Sequence, residues 1–369
     1  MKTSTERILT THTGSLPRPA GLGDRHDPAA VRAAVTQTVE RQVAAGVDII
    51  NDGEVSKPSY ATYVTERLSG FGGQPAGLPM RGFEPFPEFA RTMWGDPAMA
   101  AITANPTCDG PVAYLDTSQV ETDIANLRAS RTGATDIFMS AASPGVINMF
   151  MPSRYYPSTE AYLFALADAM KTEYDAICQA GLILQLDCPD LASGWARGPE
   201  RTLAEFRGEV AQRLEVIDYA TRDIPPDRIR LHLCWGNYEG PHQLDIPLAD
   251  IIDLVLNARP GAVSFEAANP RHEHEWKLFE DVKLPDGKIL IPGVLDSTTN
   301  YVEHPELVAQ RLIRYASVVG KTSIIAGTDC GFGTFPALAR VDSDITYAKL
   351  AAMADGARIA SRELWGATA

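Results

Sequence analysis

Cysteine is scarce in this chain: five in 369 residues, at positions 108, 178, 188, 234 and 330. An odd, sparse set excludes a disulfide framework and leaves buried thiols, metal ligands or a nucleophile. Basic residues are in deficit, 33 Lys+Arg against 47 Asp+Glu, for a formal net charge of −14. That balance argues against a nucleic-acid partner, which needs a basic surface. No apolar run reaches the roughly 18 residues of a membrane span, so no membrane partner is expected. The start, MKTSTERILTTHTGSLPRP, lacks the apolar core of a signal peptide and points to the cytoplasm. Repeats, charge blocks and low-complexity linkers are also missing, and no GxGxxG or Walker loop follows a candidate strand. What is present is ordinary for a globular protein, 45% hydrophobic and 22% charged.

Short β-branched runs alternate with longer amphipathic stretches. The runs at 8–13, 47–52, 135–141, 182–187, 230–234, 262–266, 288–293 and 322–327 read as strands. Helical patterns occupy 28–45, 159–180, 202–222, 247–257 and 305–319, with start signals such as Ser158 and Pro305 and glycine stops at Gly46, Gly181 and Gly320. This alternation predicts an α/β fold, a TIM-type (β/α)8 barrel spanning 1–369 as one catalytic domain. The stretch 69–107, rich in Gly, Pro and aromatics (Phe71, Phe83, Phe86, Phe89, Trp94), has no strong period. It reads as part of an insertion of about 69–117 after the second strand, with a short extra strand at 111–115. Such an insertion either closes over a site or forms an oligomer contact.

Chemistry in this barrel type sits at the carboxyl ends of the strands. The residues there are Gly14-Ser15, Gly53-Glu54, Ser143-Pro144, Asp187-Cys188, His232-Leu233-Cys234, Glu266, Asp296 and Asp329-Cys330. His232 and Cys234 stand two apart on one strand and so face one side. With Cys330 and Glu266 facing the same mouth, the donors are one nitrogen, two sulfurs and one oxygen, a borderline-soft set that favours zinc (Zn2+). Two cysteinates leave a bound substrate thiolate electron-rich, which points to alkylation of a thiol rather than hydrolysis.

Glu54 and Asp187 are further carboxylates at the mouth. Either they pair with Arg or Lys on neighbouring loops, or they clamp a cationic group such as a substrate amine, with Gly14 and Ser15 receiving a carboxylate. Arg18 and Lys57 lie just past the first two strands and could neutralise a substrate anion. Glu54, Asp187 and Asp296 are the candidate catalytic carboxylates, and Trp235 and Asn237 are candidates for the pocket wall. His272-Glu273-His274, in a charged helix start over 270–280, reads as a solvated face because i and i+2 diverge on a helix. His12 reads as a hydrogen-bonded core histidine, Cys108 and Cys178 as buried, and Cys188 as facing away from Asp187.

TTHTGSLPRP, DIINDGE, LQLDCPDLA, HLCWGNYEGPH, SFEAANPR, IPGVLDSTTNYVEHPE and GTDCGFGTF together resemble the strand-end motifs of the carboxyl-terminal catalytic barrel of cobalamin-independent methionine synthases, from about residue 8 to 335. The resemblance implies a zinc-dependent methyltransferase with ligands His232, Cys234, Glu266 and Cys330. It also implies homocysteine backbone contacts near Gly14 and Ser15 and amine contacts from Glu54 and Asp187. The chain departs from that pattern at Cys188, where the family has an acidic residue, and around Asp296-Ser297-Thr298, where it has a histidine. GSLPRP, CDGPV, HLCWGNYEGPH and the Phe/Gly/Pro-rich insertion are similar to the single-barrel branch that includes epoxyalkane:coenzyme M transferase (2-hydroxypropyl-coenzyme M lyase). There the zinc thiolate opens an epoxide and a sulfonate must be bound. The implied partners are a small-molecule thiol and an alkyl donor. Two readings compete with catalysis on zinc: a barrel in which zinc is only a structural staple, and a metal-free barrel related to uroporphyrinogen decarboxylase.

Overall fold

The structure, a computed structural model, describes residues 1–23, 25–77, 80–96, 104–130, 133–335 and 341–366, apart from the Trp94 side chain. Residues 78–79 and 97–103 of the expected insertion, and the Trp94 side chain, lie outside that description. In chain order the strands are β1 (Ile49–Ile50), β2 (Phe71–Gly73), β3 (Thr107–Cys108), β4 (Asp136–Ala142), β5 (Ile183–Asp187), β6 (Ile229–Leu233), β7 (Ala262–Phe265) and β8 (Ile289–Pro292).

β1, β4, β5, β6, β7 and β8 lie side by side in that order, every pair parallel. Every residue of β4 to β8 is buried, as expected of parallel strands covered on both faces. Isolated bridges complete the ring: Thr11 with Ile49, Thr10 with Ala326, Leu290 with Ile324 and Gly293 with Gly327. The sheet is thus a TIM-type barrel. Its expected first and last strands are present as single bridges, not extended ladders.

Register decides what meets at the mouth. Ala142 pairs with Asp187, Asp187 with His232, and His232 with Ser264. Residues in register share a face, so Asp187, His232 and Ser264 form one layer. The layer below holds Gln185 and Arg230, also in register. The Arg230 guanidinium lies 3.5 Å over the Phe138 ring. It donates to Gln185 Oε1 (2.7 Å), Thr11 Oγ1 (2.9 Å) and the His12 carbonyl (2.5 Å), which satisfies a charge with no exposure. Beneath these, Leu9, Phe138, Ile183, Ala262, Ile289 and Ile325 form an apolar plug.

The long helices start where the caps predict. Asp27 caps Pro28–Ala44, Ser158 caps Thr159–Gln179, Thr202 and Glu205 form a reciprocal capping box on Leu203–Ala220, and His304 caps Pro305–Val319. Three expectations are corrected. The helix expected over 247–257 is a 3-10 turn, Leu248–Asp250, followed by a helix of only Ile252–Asn257. The extra strand is β3, which pairs antiparallel with β2; in the expected stretch 111–115 Tyr114 makes a single bridge to Leu68. The charged segment after Pro270 is a 3-10 helix, Glu273–Glu280. Among the described residues no helix is long and apolar enough to cross a membrane.

Candidate metal centre and its cavity

His232 ends one step short of the close of β6, Cys234 follows it, and Cys330 comes from the turn after the Gly293–Gly327 bridge. Their ligand atoms all lie within 4.8 Å of one another, and all three residues are buried. The two sulfurs are 3.7 Å apart. That is far beyond a disulfide bond and close to the roughly 3.8 Å expected of two thiolates about 2.3 Å from one tetrahedral zinc. His232 Nδ1 faces Ser264 Oγ at 3.4 Å, its neighbour in register, while the buried Nε2 has no hydrogen-bond partner. A buried ring nitrogen without a partner is costly unless it serves as a ligand. Burial, then the Arg230 charge below, push His232 down to about 3, so the imidazole is neutral as a metal requires. The donor set therefore fits a soft cation.

Glu266, expected as the fourth ligand, is not brought into this group. Its Oε1 accepts from the Trp235 backbone N–H (2.8 Å) and its Oε2 from Asn269 Nδ2 (2.8 Å). It still stands close enough to Cys234 that burial and that thiol push its carboxyl well above the usual range.

The three residues line a cavity with an empty volume of about 870 Å³ including its open mouth. Thr13, Ser15, Glu54, Tyr60, Asp187 and Arg197 also face it, and Met80 and Met93 reach it from the segment between β2 and β3. Glu54 has φ +57°, the positive-φ position among the described non-glycine residues, and strain of this kind gathers at functional sites. Ser140 Oγ donates to its Oε1 at 2.5 Å. Gly14, at φ +145°, leaves room for that carboxylate, since a Cβ there would sit 2.5 Å from Glu54 Oε1. Burial first, then the Glu54 charge, hold the Asp187 carboxyl well above its ordinary value. Two carboxylates this close in a cavity are a receptor for a cation.

Several expected wall residues turn elsewhere. Lys57 Nζ donates to the Ser140 carbonyl (2.5 Å) and lies over the Tyr63 ring, and Arg18 bonds the Lys57 carbonyl; neither side chain lines the cavity. Trp235 is packed behind the wall, its indole N–H on the Ile246 carbonyl (2.7 Å) and its ring 4.3 Å from that of His272. Asn237 does line it, tied to the Gly331 carbonyl (2.7 Å) and Thr334 Oγ1 (2.8 Å). Asp296 faces a neighbouring depression with Glu266 and Asp329, and its Oδ1 accepts from the Thr298 N–H and hydroxyl. His12 is the core histidine expected, its Nε2 2.7 Å from Gln42 Oε1. Cys108 is buried, Cys178 is half-buried, and buried Cys188 does not line the cavity.

His272 reverses its expectation: only His274 is exposed, while His272 is buried. It precedes the 3-10 helix, so its ring turns inward, with Nδ1 2.8 Å from Glu275 Oε2 and Nε2 3.0 Å from Asp245 Oδ2. Burial opposes its charge, but these two carboxylates outweigh burial and raise it to about 10. A folded pKa above the unfolded value of about 6.5 gives stability fully present below that pH and lost as pH rises through about 10. The stability gap between wild type and His272→Gln is therefore expected to shrink by a few kcal/mol over that window. Denaturant midpoints at pH 6 and pH 10 measure it; a gap that does not change with pH would refute a charged His272.

No protein-family model matches the chain. It is similar over 97% of its length to a methionine synthase of Sulfurisphaera tokodaii, 25% identical over 372 residues and covering 94% of that protein. A methionine synthase of Thermococcus kodakarensis is 24% identical over 338 residues, covering 91% of this chain and 84% of that one. Over at least nine-tenths of its length the chain is thus similar to proteins named methionine synthase. Among solved structures, a B12-independent methionine synthase from Shewanella sp. W3-18-1, in complex with selenomethionine, superposes with a TM-score of 0.74 at 20% identity, covering 97% of this chain and 99% of that one. This likeness shows the shared fold.

Two residues to which the strand-end reading gave no role stand out. Asp329 accepts from the backbone N–H groups of Ala267, Ala268 and Asn269, each at 2.8 Å, and so ties the Glu266 loop to the Cys330 turn. Arg197, ten residues past the end of β5, faces the cavity. The signal for Asp329 was its place beside Cys330; Arg197 had none.

Proposed function

We propose that the chain is a zinc-dependent S-methyltransferase acting on a homocysteine-type thiol, in line with the name its relatives carry. The observation that supports this most is the grouping of His232, Cys234 and Cys330 in a cavity that also carries Glu54 and Asp187. Zinc held there supplies the charge that keeps an incoming thiol deprotonated at neutral pH. His232, Cys234 and Cys330 would hold the ion, His232 as a neutral ligand with Ser264 behind it, and Glu266, which stands beside Cys234, would be the carboxylate at hand to complete the set until a substrate thiol is bound. Glu54 and Asp187 receive the substrate ammonium, which relieves the repulsion between them. The Shewanella relative was solved with selenomethionine, an amino acid whose head group presents such an ammonium. Tyr60, Phe150, Phe335, Met80 and Met93 add apolar wall to the cavity, which strengthens the ionic contacts and limits water.

X-ray absorption of the zinc-loaded chain should gain one sulfur neighbour when homocysteine is added. Unchanged coordination would favour zinc as a structural staple. Methyl-folate, methylcobalamin and epoxypropane, offered with the thiol that binds, then assign the electrophile, including the epoxide of the coenzyme M transferase reading.

Glu54→Gln is expected to raise KM for homocysteine by roughly 10- to 100-fold, the value of a lost charge-assisted hydrogen bond. The des-amino thiol 4-mercaptobutyrate should be affected far less. Equal losses for both thiols would remove Glu54 from amine recognition.

A further inference from the structure

Among the described residues, the guanidinium groups with buried nitrogens differ in how far they are satisfied, and one stands apart. Arg67 meets Asp123 and Glu173, Arg230 has three acceptors, and Arg311 meets Glu273 and the carbonyls of Val294 and Ala268. Arg81, Arg201 and Arg259 leave Nε bare but donate through Nη2 to carbonyls. In Arg197 both Nε and Nη1 are buried without a partner, and the side chain makes no ion pair with any described residue. It faces the cavity beside Tyr60, Tyr238 and Cys234. Burial pushes its pKa down, and the groups that oppose this are Tyr60, Tyr238 and Cys234, with no carboxylate among them.

The backbone at Arg197 is held firmly. Its backbone pairs with Met80, Arg201 donates to its carbonyl, and the loop before it is tied to the metal centre by the Ser193 N–H on the Cys234 carbonyl (3.1 Å). A guanidinium with two buried, unpartnered N–H donors is costly until a planar or tetrahedral oxyanion fills it. The chain carries a net charge of −14 and two more carboxylates face this cavity, so an anionic substrate would be repelled there without a local cation.

We propose that Arg197 is the anion receptor of the cavity: it binds an oxyanion, carboxylate or sulfonate, carried by the thiol substrate, and selects thiols that bear one. Arg18 and Lys57, the cations nearest the mouth in sequence, are turned away and leave this task to Arg197. The inference rests on the reading of the cavity as a thiol site. With Glu54 and Asp187 on the ammonium, Arg197 completes recognition of a zwitterion.

The test is calorimetric binding to the full, zinc-loaded chain of homocysteine, 2-mercaptoethanesulfonate and uncharged 2-mercaptoethanol, in wild type, Arg197→Met and Arg197→Lys. Arg197→Met should weaken at least one anionic thiol about 10- to 100-fold. It should leave 2-mercaptoethanol and zinc content unchanged, and Arg197→Lys should recover part of the loss. The thiol that suffers more identifies carboxylate or sulfonate as the natural group. Equal affinity of wild type and Arg197→Met for both anionic thiols would overturn the proposal, as would an equal loss for 2-mercaptoethanol. Sulfur-free butyrate and propanesulfonate separate the two readings. If they bind through Arg197 while homocysteine adds no sulfur to the zinc shell, the anion receptor stands and the thiol chemistry fails.

Discussion

Cys330→Ser is expected to abolish turnover and to take bound zinc well below one equivalent per chain. A serine hydroxyl is a hard, protonated donor at neutral pH and a poor substitute for thiolate on a soft cation. Losing even an outer partner of a metal ligand costs about 10- to 100-fold in affinity, so losing a ligand itself should cost on the order of 100-fold or more. The 3.7 Å spacing of Cys234 and Cys330 makes the loss specific, because the remaining sulfur and His232 form only half a shell. Cys188→Ser is the control: that thiol is equally buried but faces the Leu186 carbonyl and not the cavity, so metal content should stay normal. Metal analysis alongside turnover decides the matter. Full activity with normal zinc in Cys330→Ser would refute the ligand assignment.

The residues whose position could be read from the sequence share a physical reason. Asp187 and His232 sit at or near the ends of regular parallel strands, where register alone brings them into one layer. Cys234 follows two residues on and stays with His232 although β6 has already ended at Leu233. The sequence says least where a long or branched side chain chooses among partners. The Lys57 amine reaches back to the Ser140 carbonyl, the Glu266 carboxylate is taken by Trp235 and Asn269, and His272 escapes solvent because two carboxylates hold it. No spacing rule reports such captures, since each depends on atoms far away in the chain. Arg197 follows two short 3-10 turns, Pro189–Leu191 and Ser193–Ala196, and irregular backbone carries no period from which its direction could be read. The weak first and last strands, by contrast, were legible as apolar runs, though each makes only isolated bridges.

Asp329→Ala is expected to cost about 3–5 kcal/mol of stability and, separately, about 10- to 100-fold in zinc affinity. The carboxylate is buried and accepts four hydrogen bonds, from the N–H groups of Ala267, Ala268 and Asn269 (2.8 Å each) and from Asn269 Nδ2 (3.1 Å). Removing it strands three backbone donors beneath the mouth, where water cannot easily replace the lost acceptor. The same contacts fix Glu266 and Cys330 relative to each other, because Asn269 also holds the Glu266 carboxylate and Cys330 is the next residue in the chain. Asp329→Asn keeps the shape but turns one acceptor into a donor, so it should fall between wild type and alanine on both measures. Gly293→Ala tests the same place from outside: a Cβ there would lie 2.1 Å from Asp329 Oδ1 and 2.7 Å from its backbone N and Cα, and so would displace the whole residue without altering its chemistry. Denaturant unfolding and competitive zinc chelation read the two effects independently. A zinc affinity equal to wild type in all three variants, with stability lowered, would show that Asp329 holds the barrel rim together without orienting the metal ligands.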